Sequence, residues 1–289
     1  MSEVLPILRK FVDKAVAYVI PPQGKVYLVT GASKGIGKAI AFELAKQGKS
    51  LILVARTEKT LLEVQQDIVD KYKVPVISIP FDVVDFDGFQ KVLKTAHSKI
   101  GPVDTIILNA GIATGHRVGK NGFAQDLTVL ETNLLGPISE INDFVNYAKS
   151  VQIVNPHVVI ITSVASDVSA KYLGAYCASK SGLSKYLESC ALELEGKGFY
   201  FTNIQPGFIT TDMIKGKVGL LGKVFSVTSE WCAKETVFAI NRRQQQRYIP
   251  HWLYYPVCNL LINVVVLYDF LPFKRAFGSL YSPFNFHNQ

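Results

Sequence analysis

The stretch "KVYLVTGASKGIGKAI", residues 25 to 40, joins an apolar run to a glycine-rich turn. The run 25–30 has the β-branched and aromatic composition of a buried strand, and the segment that starts at residue 36 has helical period. Glycines let a turn bend tightly and approach a ligand, and the start of a helix attracts negative charge. The stretch therefore predicts a strand, a phosphate-binding turn and a helix.

The same alternation continues along the chain. Further apolar runs are "SLILVA" (50–55), "VPVISI" (74–79), "VDTIIL" (103–108), "HVVIIT" (157–162) and "FYFTNI" (199–204), with helical segments at 36–47, 58–72 and 86–99 and a short strand expected near 247–250. Runs that are almost continuously apolar are typical of strands covered on both faces. The pattern predicts an α/β fold, a Rossmann-type doubly wound parallel sheet of about seven strands.

Neither internal repeats nor low-complexity tracts divide the sequence. We therefore predict a single Rossmann domain, with cofactor and catalytic sites, over residues 23–250. An N-terminal amphipathic helix over 1–22 and a hydrophobic C-terminal extension over 251–289 complete the predicted organisation.

Composition narrows the function classes. Hydrophobic residues make up 48% and charged residues 19% of the 289, which excludes a disordered chain. The net charge of +8 suggests an anionic partner, but the basic residues form no run of five. A phosphate-bearing cofactor or an anionic membrane is therefore favoured over nucleic acid. The four cysteines lack C-x-x-C or metal-like spacing, so we expect no metal site.

The glycine-rich turn has the spacing G-x-x-x-G-x-G and lies between a strand and a helix, where dinucleotides bind. NAD-binding sheets usually carry an acidic residue at the end of the second strand, where this chain has Arg56. Arg56 and Lys34 together suit the 2′-phosphate of NADPH. The alternative is that both are exposed cations without a ligand.

Motifs that follow the turn share one pattern. They are "FDVVD" (81–85), "NAG" (109–111), "ETNLLG" (131–136), "ITSVAS" (161–166), "YCASK" (176–180) and "PGFITT" (206–211). In this order and spacing the sequence resembles the short-chain dehydrogenase/reductase family, in its compact single-domain form, over roughly residues 24–250.

The resemblance implies a catalytic tetrad and a set of cofactor contacts. The tetrad comprises Asn133, Ser163, Tyr176 and Lys180. The cofactor contacts comprise Thr30, Gly31, Ser33, Lys34, Gly35, Ile36, Gly37, Arg56, Asp82, Val83, Asn109, Ala110, Gly111, Tyr176, Lys180, Pro206, Ile209 and Thr211.

The chemistry of carbonyl reduction explains the tetrad's residue types. Hydride transfer places negative charge on the carbonyl oxygen, which needs a proton donor and a second hydrogen bond. Tyr176 would give the proton and Ser163 the hydrogen bond. Lys180, one helical turn from Tyr176, would lower its pKa. Asn133 would orient a water that links Lys180 to solvent, or would instead satisfy backbone groups inside the fold.

The two ends of the chain are unusually apolar. Residues 3–20 show an amphipathic pattern that ends at Pro21 and Pro22, and they could lie on a membrane or pack on a protein surface. The uncharged stretch between Arg247 and Asp269 suits attachment to one face of a membrane, or a hydrophobic wall on the substrate site or in a dimer. Its length also reaches that of a true membrane span, although its prolines argue against one. We expect peripheral membrane contact through 3–20 and 248–271.

The segment "MIKGKVGLLGKVFSV" (213–227) combines glycines with large apolar residues, which suits a mobile lid over an aliphatic substrate. The layout is similar to membrane-associated family members such as 3-ketodihydrosphingosine reductases and hydroxysteroid dehydrogenases. We therefore expect NADPH-dependent reduction of a lipid-like ketone or aldehyde. Alternatives are a soluble reductase of small carbonyls whose tail mediates oligomerisation, and a non-catalytic NADPH-binding scaffold or sensor.

The location of the protein is predicted from its N-terminal sequence, and its assembly from the family resemblance. The N-terminal apolar runs are broken by charges and lack a cleavage site, so we expect a cytoplasmic protein, at the cytosolic face of the endoplasmic reticulum in a eukaryote. The family resemblance implies a homodimer or homotetramer. His116 and Arg117, in a loop after a strand, are candidates for contact with a polar head group or are solvated loop residues.

Overall fold

A computed structural model describes residues 25–120, 122–211 and 226–251. Its main sheet has seven strands in the order β3-β2-β1-β4-β5-β6-β9, and every neighbouring pair is parallel. The strands are β1 (Val26–Thr30), β2 (Ser50–Ala55), β3 (Val76–Pro80), β4 (Thr105–Leu108), β5 (His157–Ile161), β6 (Tyr200–Pro206) and β9 (Gln246–Ile249). Strands β7 (Ile209–Thr210) and β8 (Val227–Thr228) form a separate parallel pair. The Rossmann-type fold predicted from the sequence is confirmed.

Helices cover both faces of the sheet. They are α1 (Gly35–Lys46), α2 (Glu58–Tyr72), α3 (Phe89–Lys99), α4 (Phe123–Leu130), α5 (Gly136–Ser150), α6 (Gly174–Leu194) and α7 (Ser229–Asn241). One buried cluster joins the sheet to α1, α2 and α7, and the other joins it to α3, α5 and α6. Because both faces are covered, every residue of β1, β4 and β5 is buried.

The strand order reverses at β1, which pairs with β2 on one side and with β4 on the other. The connections from these two strands therefore leave in opposite directions, and a crevice opens at their carboxyl ends. The side-chain hydroxyl of Thr30 accepts hydrogen bonds from the backbone N–H groups of Asn109 (3.0 Å) and Ala110 (3.1 Å) across this crevice. The amide of Asn109 donates back to the Thr30 carbonyl at 3.0 Å. These bonds fix the two sides of the crevice relative to each other.

The predicted helix over 1–22 and most of the predicted extension over 251–289 lie outside the described residues. The same is true of most of the predicted substrate lid. Within the described ranges, the structure contains no helix with both the length and the apolar character needed to cross a bilayer.

Candidate active site

The glycine-rich turn follows β1 and leads into α1, as its sequence predicts. Gly31 has φ +65°, a backbone conformation that costs L residues with side chains energy. A Cβ on Gly37 would lie 2.4 Å from both the Gly31 carbonyl oxygen and the side-chain nitrogen of Asn109. Only glycine fits this close approach. Because α1 begins at this turn, its first N–H groups would stabilise a phosphate bound here.

A cleft of about 580 Å³ extends from this turn along the carboxyl ends of the strands. All predicted cofactor contacts line it except Thr30 and Gly37, which support the turn from behind. The lining also includes residues that the sequence analysis did not identify, namely Val54, Ala55, Thr57, Phe81, Ile112, Ala113, Thr114, Thr132, Ile161, Thr162 and Gly207. Six of these eleven lie at the carboxyl end of a strand or directly after it, namely Val54, Ala55, Phe81, Ile161, Thr162 and Gly207, and this position could have identified them.

At one end of the cleft, Arg56 and Asp82 form an ion pair with 3.8 Å between nitrogen and oxygen. Their side chains are 71% and 42% exposed. Because an exposed ion pair contributes little free energy, the Arg56 guanidinium is able to pair with a different anion instead. Lys34 precedes α1 in the glycine-rich turn and lines the same end of the cleft.

At the other end, Ser163, Tyr176 and Lys180 line the cleft together. Ser163 follows β5 and caps a 3₁₀ turn over Val164–Ser166, and its hydroxyl accepts a hydrogen bond from the Ala165 N–H at 3.1 Å. Tyr176 and Lys180 lie on α6, with the Lys180 nitrogen 5.9 Å from the centre of the Tyr176 ring. The Lys180 ammonium donates to the Ile161 carbonyl at 2.9 Å.

Burial controls the protonation of this group. It raises the pKa of Tyr176, and a hydrogen bond with the Ser163 hydroxyl opposes the rise. Burial also lowers the pKa of Lys180 to about 8. The sequence predicts a lowered pKa for Tyr176, whereas the net shift in the structure is upward. Desolvation of the phenol outweighs an ammonium that is turned toward a backbone carbonyl.

Asn133 is fully buried behind the cleft and does not line it. It lies in a π-helical turn, Glu131–Leu135, between α4 and α5, a local geometry that often marks functional sites. Its amide donates to the Ile112 carbonyl (2.8 Å) and accepts from the Ile112 N–H (2.9 Å). Asn133 thus satisfies the backbone of a cleft-lining residue.

The loop after β4 contains the two candidate head-group contacts. The His116 ring lies 2.9 Å from the Asp126 carboxylate and 3.0 Å from the Arg117 carbonyl. These two bonds raise the pKa of His116, the carbonyl bond contributing most. The Arg117 guanidinium lies 5.8 Å from the centre of the Tyr172 ring, and Lys171 approaches the same ring at 5.0 Å. The structure therefore ties His116 into the loop and gathers two cations near Tyr172.

Comparison with known proteins supports the family resemblance seen in the sequence. The family model for short chain dehydrogenases matches residues 25–218. An uncharacterised oxidoreductase of Mycobacterium tuberculosis is 30% identical over 239 residues, which are 81% of this chain and 91% of the relative. A Schizosaccharomyces pombe NADP-dependent 3-hydroxy acid dehydrogenase is 29% identical and covers 76% of this chain, with 88% of its own length aligned. An 11-beta-hydroxysteroid dehydrogenase of Sesamum indicum is 30% identical over 67% of this chain and 55% of its own length.

Solved structures share the fold. A short chain dehydrogenase/reductase of Burkholderia phymatum in complex with NAD aligns with a TM-score of 0.73, at 21% identity, over 83% of this chain and 92% of its own. An alcohol dehydrogenase of Thermococcus sibiricus complexed with 5-hydroxy-NADP aligns with a TM-score of 0.69, at 24% identity, over 78% of this chain and 95% of its own. With the family match and the cleft geometry, these similarities lead to one conclusion: the chain belongs to the short-chain dehydrogenase/reductase family of oxidoreductases.

Proposed function

We propose that this oxidoreductase reduces a ketone or aldehyde to an alcohol with NADPH, and that its preferred substrate is apolar. The observation that carries the proposal is that Ser163, Tyr176 and Lys180 line the same cleft as the glycine-rich turn. A bound NADPH supplies the hydride. The protein's own residues must then hold the carbonyl, provide a proton and exclude water.

Tyr176 is the proposed proton donor. Its pKa is raised by burial, so the phenol stays protonated at neutral pH and is available as an acid. When the proton leaves, a phenolate forms in a desolvated site, where a nearby ammonium is strongly stabilising. Lys180, only 5% exposed, is the proposed source of that positive charge. Ser163 provides the second hydrogen bond to the carbonyl oxygen.

The cleft fits the proposed cofactor along its length. Gly31 lines the cleft in the turn that would hold the pyrophosphate, and Gly37 lets α1 pack closely against that turn. Arg56 and Lys34 are the proposed contacts of the 2′-phosphate, and Asp82 and Val83 line the adenine end. At the catalytic end, Pro206, Ile209 and Thr211 are the proposed contacts of the nicotinamide. The name of the Schizosaccharomyces pombe relative, an NADP-dependent enzyme, supports the choice of NADPH.

An apolar surface beside Ser163 supports an apolar substrate. Tyr248 is buried against Val164, Val168 and Phe208, and two of these residues follow Ser163 within five positions. Phe208 comes directly after Gly207, which lines the cleft. None of these four residues lines the cleft, but the partly buried Val164, Val168 and Phe208 lie next to it in sequence and are proposed to extend an apolar surface for a hydrocarbon substrate. The similarity to a hydroxysteroid dehydrogenase is consistent with such a substrate.

A second substrate class is supported by the cations near Tyr172. Arg117 and Lys171 would attract a carboxylate. Tyr172, which both of them approach, is four residues before the proposed proton donor Tyr176. A 3-oxo acid would use this pair. The Schizosaccharomyces pombe relative is named as a 3-hydroxy acid dehydrogenase, which is the corresponding product class.

The test is NADPH oxidation with two matched series of 3-oxo compounds of increasing chain length, one with and one without a terminal carboxylate, in mild detergent. A catalytic efficiency that rises with length in both series supports the apolar wall as the main source of binding. A strong preference for the carboxylates at every length supports the second class. If no carbonyl compound is reduced, the proposed function is wrong and the alternative of a non-catalytic NADPH-binding protein gains support.

Membrane contact through residues 3–20 and 248–271 remains part of the proposal. Co-flotation of the full chain with vesicles that contain anionic lipid would support it, and failure to float would contradict it. The expected homodimer or homotetramer is a separate prediction, which the molar mass from light scattering would decide.

A further inference from the structure

A polar network holds the turn that carries Ser163, and its members come from three different elements. Gln205 lies in β6 and Tyr248 in β9, while Ser166 and Asp167 follow Ser163 in the 3₁₀ turn and just after it. Gln205 is fully buried. None of these four residues lines the cleft. Their contacts therefore act on the site from behind.

Asp167 and Gln205 are at the centre of the network. One oxygen of the Asp167 carboxylate, Oδ2, accepts from the Gln205 side-chain nitrogen at 2.7 Å and from the Tyr248 hydroxyl at 2.8 Å. The same Gln205 nitrogen donates to the Ser166 hydroxyl at 2.7 Å. Both of its N–H bonds are thus used.

The network continues from Ser166 to the catalytic elements. The Ser166 hydroxyl donates to the Ser163 carbonyl at 2.6 Å. The Ser166 carbonyl in turn accepts from the Ser181 hydroxyl at 2.6 Å, and Ser181 lies on α6, next to Lys180. Ser166 thus connects the backbone of Ser163 to the helix that carries Tyr176 and Lys180.

The direction of each hydrogen bond follows from the carboxylate. A carboxylate only accepts, so the Gln205 side chain must turn its NH₂ group toward Asp167 and Ser166. The Ser166 hydroxyl then accepts from Gln205, and its own hydrogen is free for the Ser163 carbonyl. If the Gln205 amide were reversed, its oxygen would face the carboxylate and would draw the Ser166 hydrogen away from Ser163.

From this arrangement we propose that Asp167 is a positioning residue for carbonyl reduction. Together with Gln246, whose side-chain nitrogen donates to the Gln205 side-chain oxygen, it fixes the orientation of the Gln205 amide. Through Ser166 it keeps Ser163 where its hydroxyl meets both the Tyr176 phenol and the substrate carbonyl. The proposal rests on the proposed function, because it assigns Ser163 to the carbonyl oxygen. Small displacements of such a group are costly, since about 1 Å can reduce a rate roughly a hundredfold.

The decisive experiment is a double-mutant cycle on the full chain, with kcat measured at saturating NADPH. Asp167→Ala is expected to lower kcat about tenfold and to leave KM for NADPH unchanged, because the network does not contact the cofactor cleft. In a Ser163→Ala background the same change should have little further effect, because the proposed role of Asp167 is to place the Ser163 hydroxyl. Losses that simply add would overturn the proposal.

Two further variants separate positioning from simple loss of stability. In Asp167→Asn the side-chain oxygen can still accept both bonds, so kcat should recover to within about threefold of the parent. If Asn is as slow as Ala, the proposed role of hydrogen-bond direction is wrong. Tyr248→Phe leaves the Gln205 bond intact and should lower kcat in the same direction by a smaller factor, whereas an unchanged kcat would contradict the network.

Asp70→Ala is the matched control. Asp70 also accepts a side-chain amide, that of Gln66 at 3.0 Å, on the exposed surface of α2, and its replacement should leave kcat unchanged. Thermal melting of every variant identifies any that are unfolded. A parent protein that reduces no carbonyl overturns the proposed function and this inference together. An active parent with additive losses overturns the inference alone.

Discussion

The two ends of the cofactor cleft are built in opposite ways. At the adenine end the charged groups are exposed: Arg56 and Asp82 retain 71% and 42% of their side-chain surface and pair at 3.8 Å. At the catalytic end Ser163 and Lys180 are only 8% and 5% exposed, and each has a hydrogen bond to the backbone.

This difference predicts which end of the cleft tolerates substitutions. Exposed ion pairs contribute little to stability, so the adenine end can change its charge without disturbing the fold. Buried polar groups must keep all their partners, so a change at the catalytic end affects neighbours as well as chemistry. We therefore expect cofactor preference to be easy to alter and the proton-transfer group to be intolerant of substitution.

The largest expected effect is at the catalytic end. Tyr176→Phe removes the proposed proton donor but keeps the ring, so kcat should fall about a thousandfold, within the usual range for loss of a general acid. NADPH affinity, measured by fluorescence titration, should stay within about threefold of the parent value. Tyr72→Phe, a half-buried tyrosine on α2, is the control and should retain full activity. Substantial turnover by Tyr176→Phe would remove this residue from the mechanism.

The adenine end should show a change in preference rather than a loss of function. Arg56→Asp replaces the proposed phosphate contact with a negative charge, which would repel the phosphate. The ratio of kcat/KM for NADPH over NADH should fall about 10- to 100-fold, the equivalent of one charge-assisted hydrogen bond. Lys185→Asp changes the same charge in an exposed pair with Glu188 on α6 and serves as the control. An unaltered ratio would contradict the assignment of Arg56.

The pH dependence should arise mainly at the catalytic end. Burial lowers the pKa of Lys180 to about 8, so the ammonium is lost as pH rises through that value. Burial raises the pKa of Tyr176, so the proton donor remains available over the same range. The kcat/KM for carbonyl reduction should therefore fall above about pH 8, approaching tenfold per pH unit. A profile that stays flat to pH 10 would show that the Lys180 charge is not needed.

The smallest expected effect is on stability, at the loop after β4. Both ring nitrogens of His116 face acceptors, Asp126 and the Arg117 carbonyl, so both bonds form only with the protonated ring. These bonds raise the pKa of His116. Their contribution is therefore complete below the ordinary histidine pKa of about 6.5 and is lost as pH rises through the raised value.

Asp126→Asn tests this sign directly. The melting temperature should fall by roughly 1–2 °C at pH 5.5, because exposed pairs are weak, and should match the parent at pH 9. Thermal scanning of the two proteins across this range measures the difference. An equal shift at both pH values would mean that the histidine charge plays no part.

The sequence was sufficient for the features that depend on local pattern. The turn over 31–37, the buried strands and the position of Tyr176 and Lys180 on one helix all follow from residue types at fixed spacing. The predicted helix over 58–72 has the observed bounds. These features are local, and so neighbouring residues are enough to specify them.

Several features that depend on tertiary contacts were not predicted. The direction of the Tyr176 pKa shift was wrong because it is set by burial, to which distant elements contribute. The bond between Asp167 and Gln205 joins residues 38 positions apart, and no motif relates them. The π-helical turn around Asn133 could not be predicted from the spacing of apolar residues either. Such a turn widens a helix locally and has no distinctive composition.

The parallel sheet also determines how this protein can be tethered. The described chain begins at Lys25, at the amino end of β1, and its last described residue, His251, follows β9 at the carboxyl end. Four strand spacings and the length of a strand separate these points, roughly 25 Å. A support or anchor joined at residue 251 itself would therefore attach on the side where the cleft opens. One joined at residue 25 would attach on the opposite side and leave the mouth of the cleft open to the carrier of the substrate.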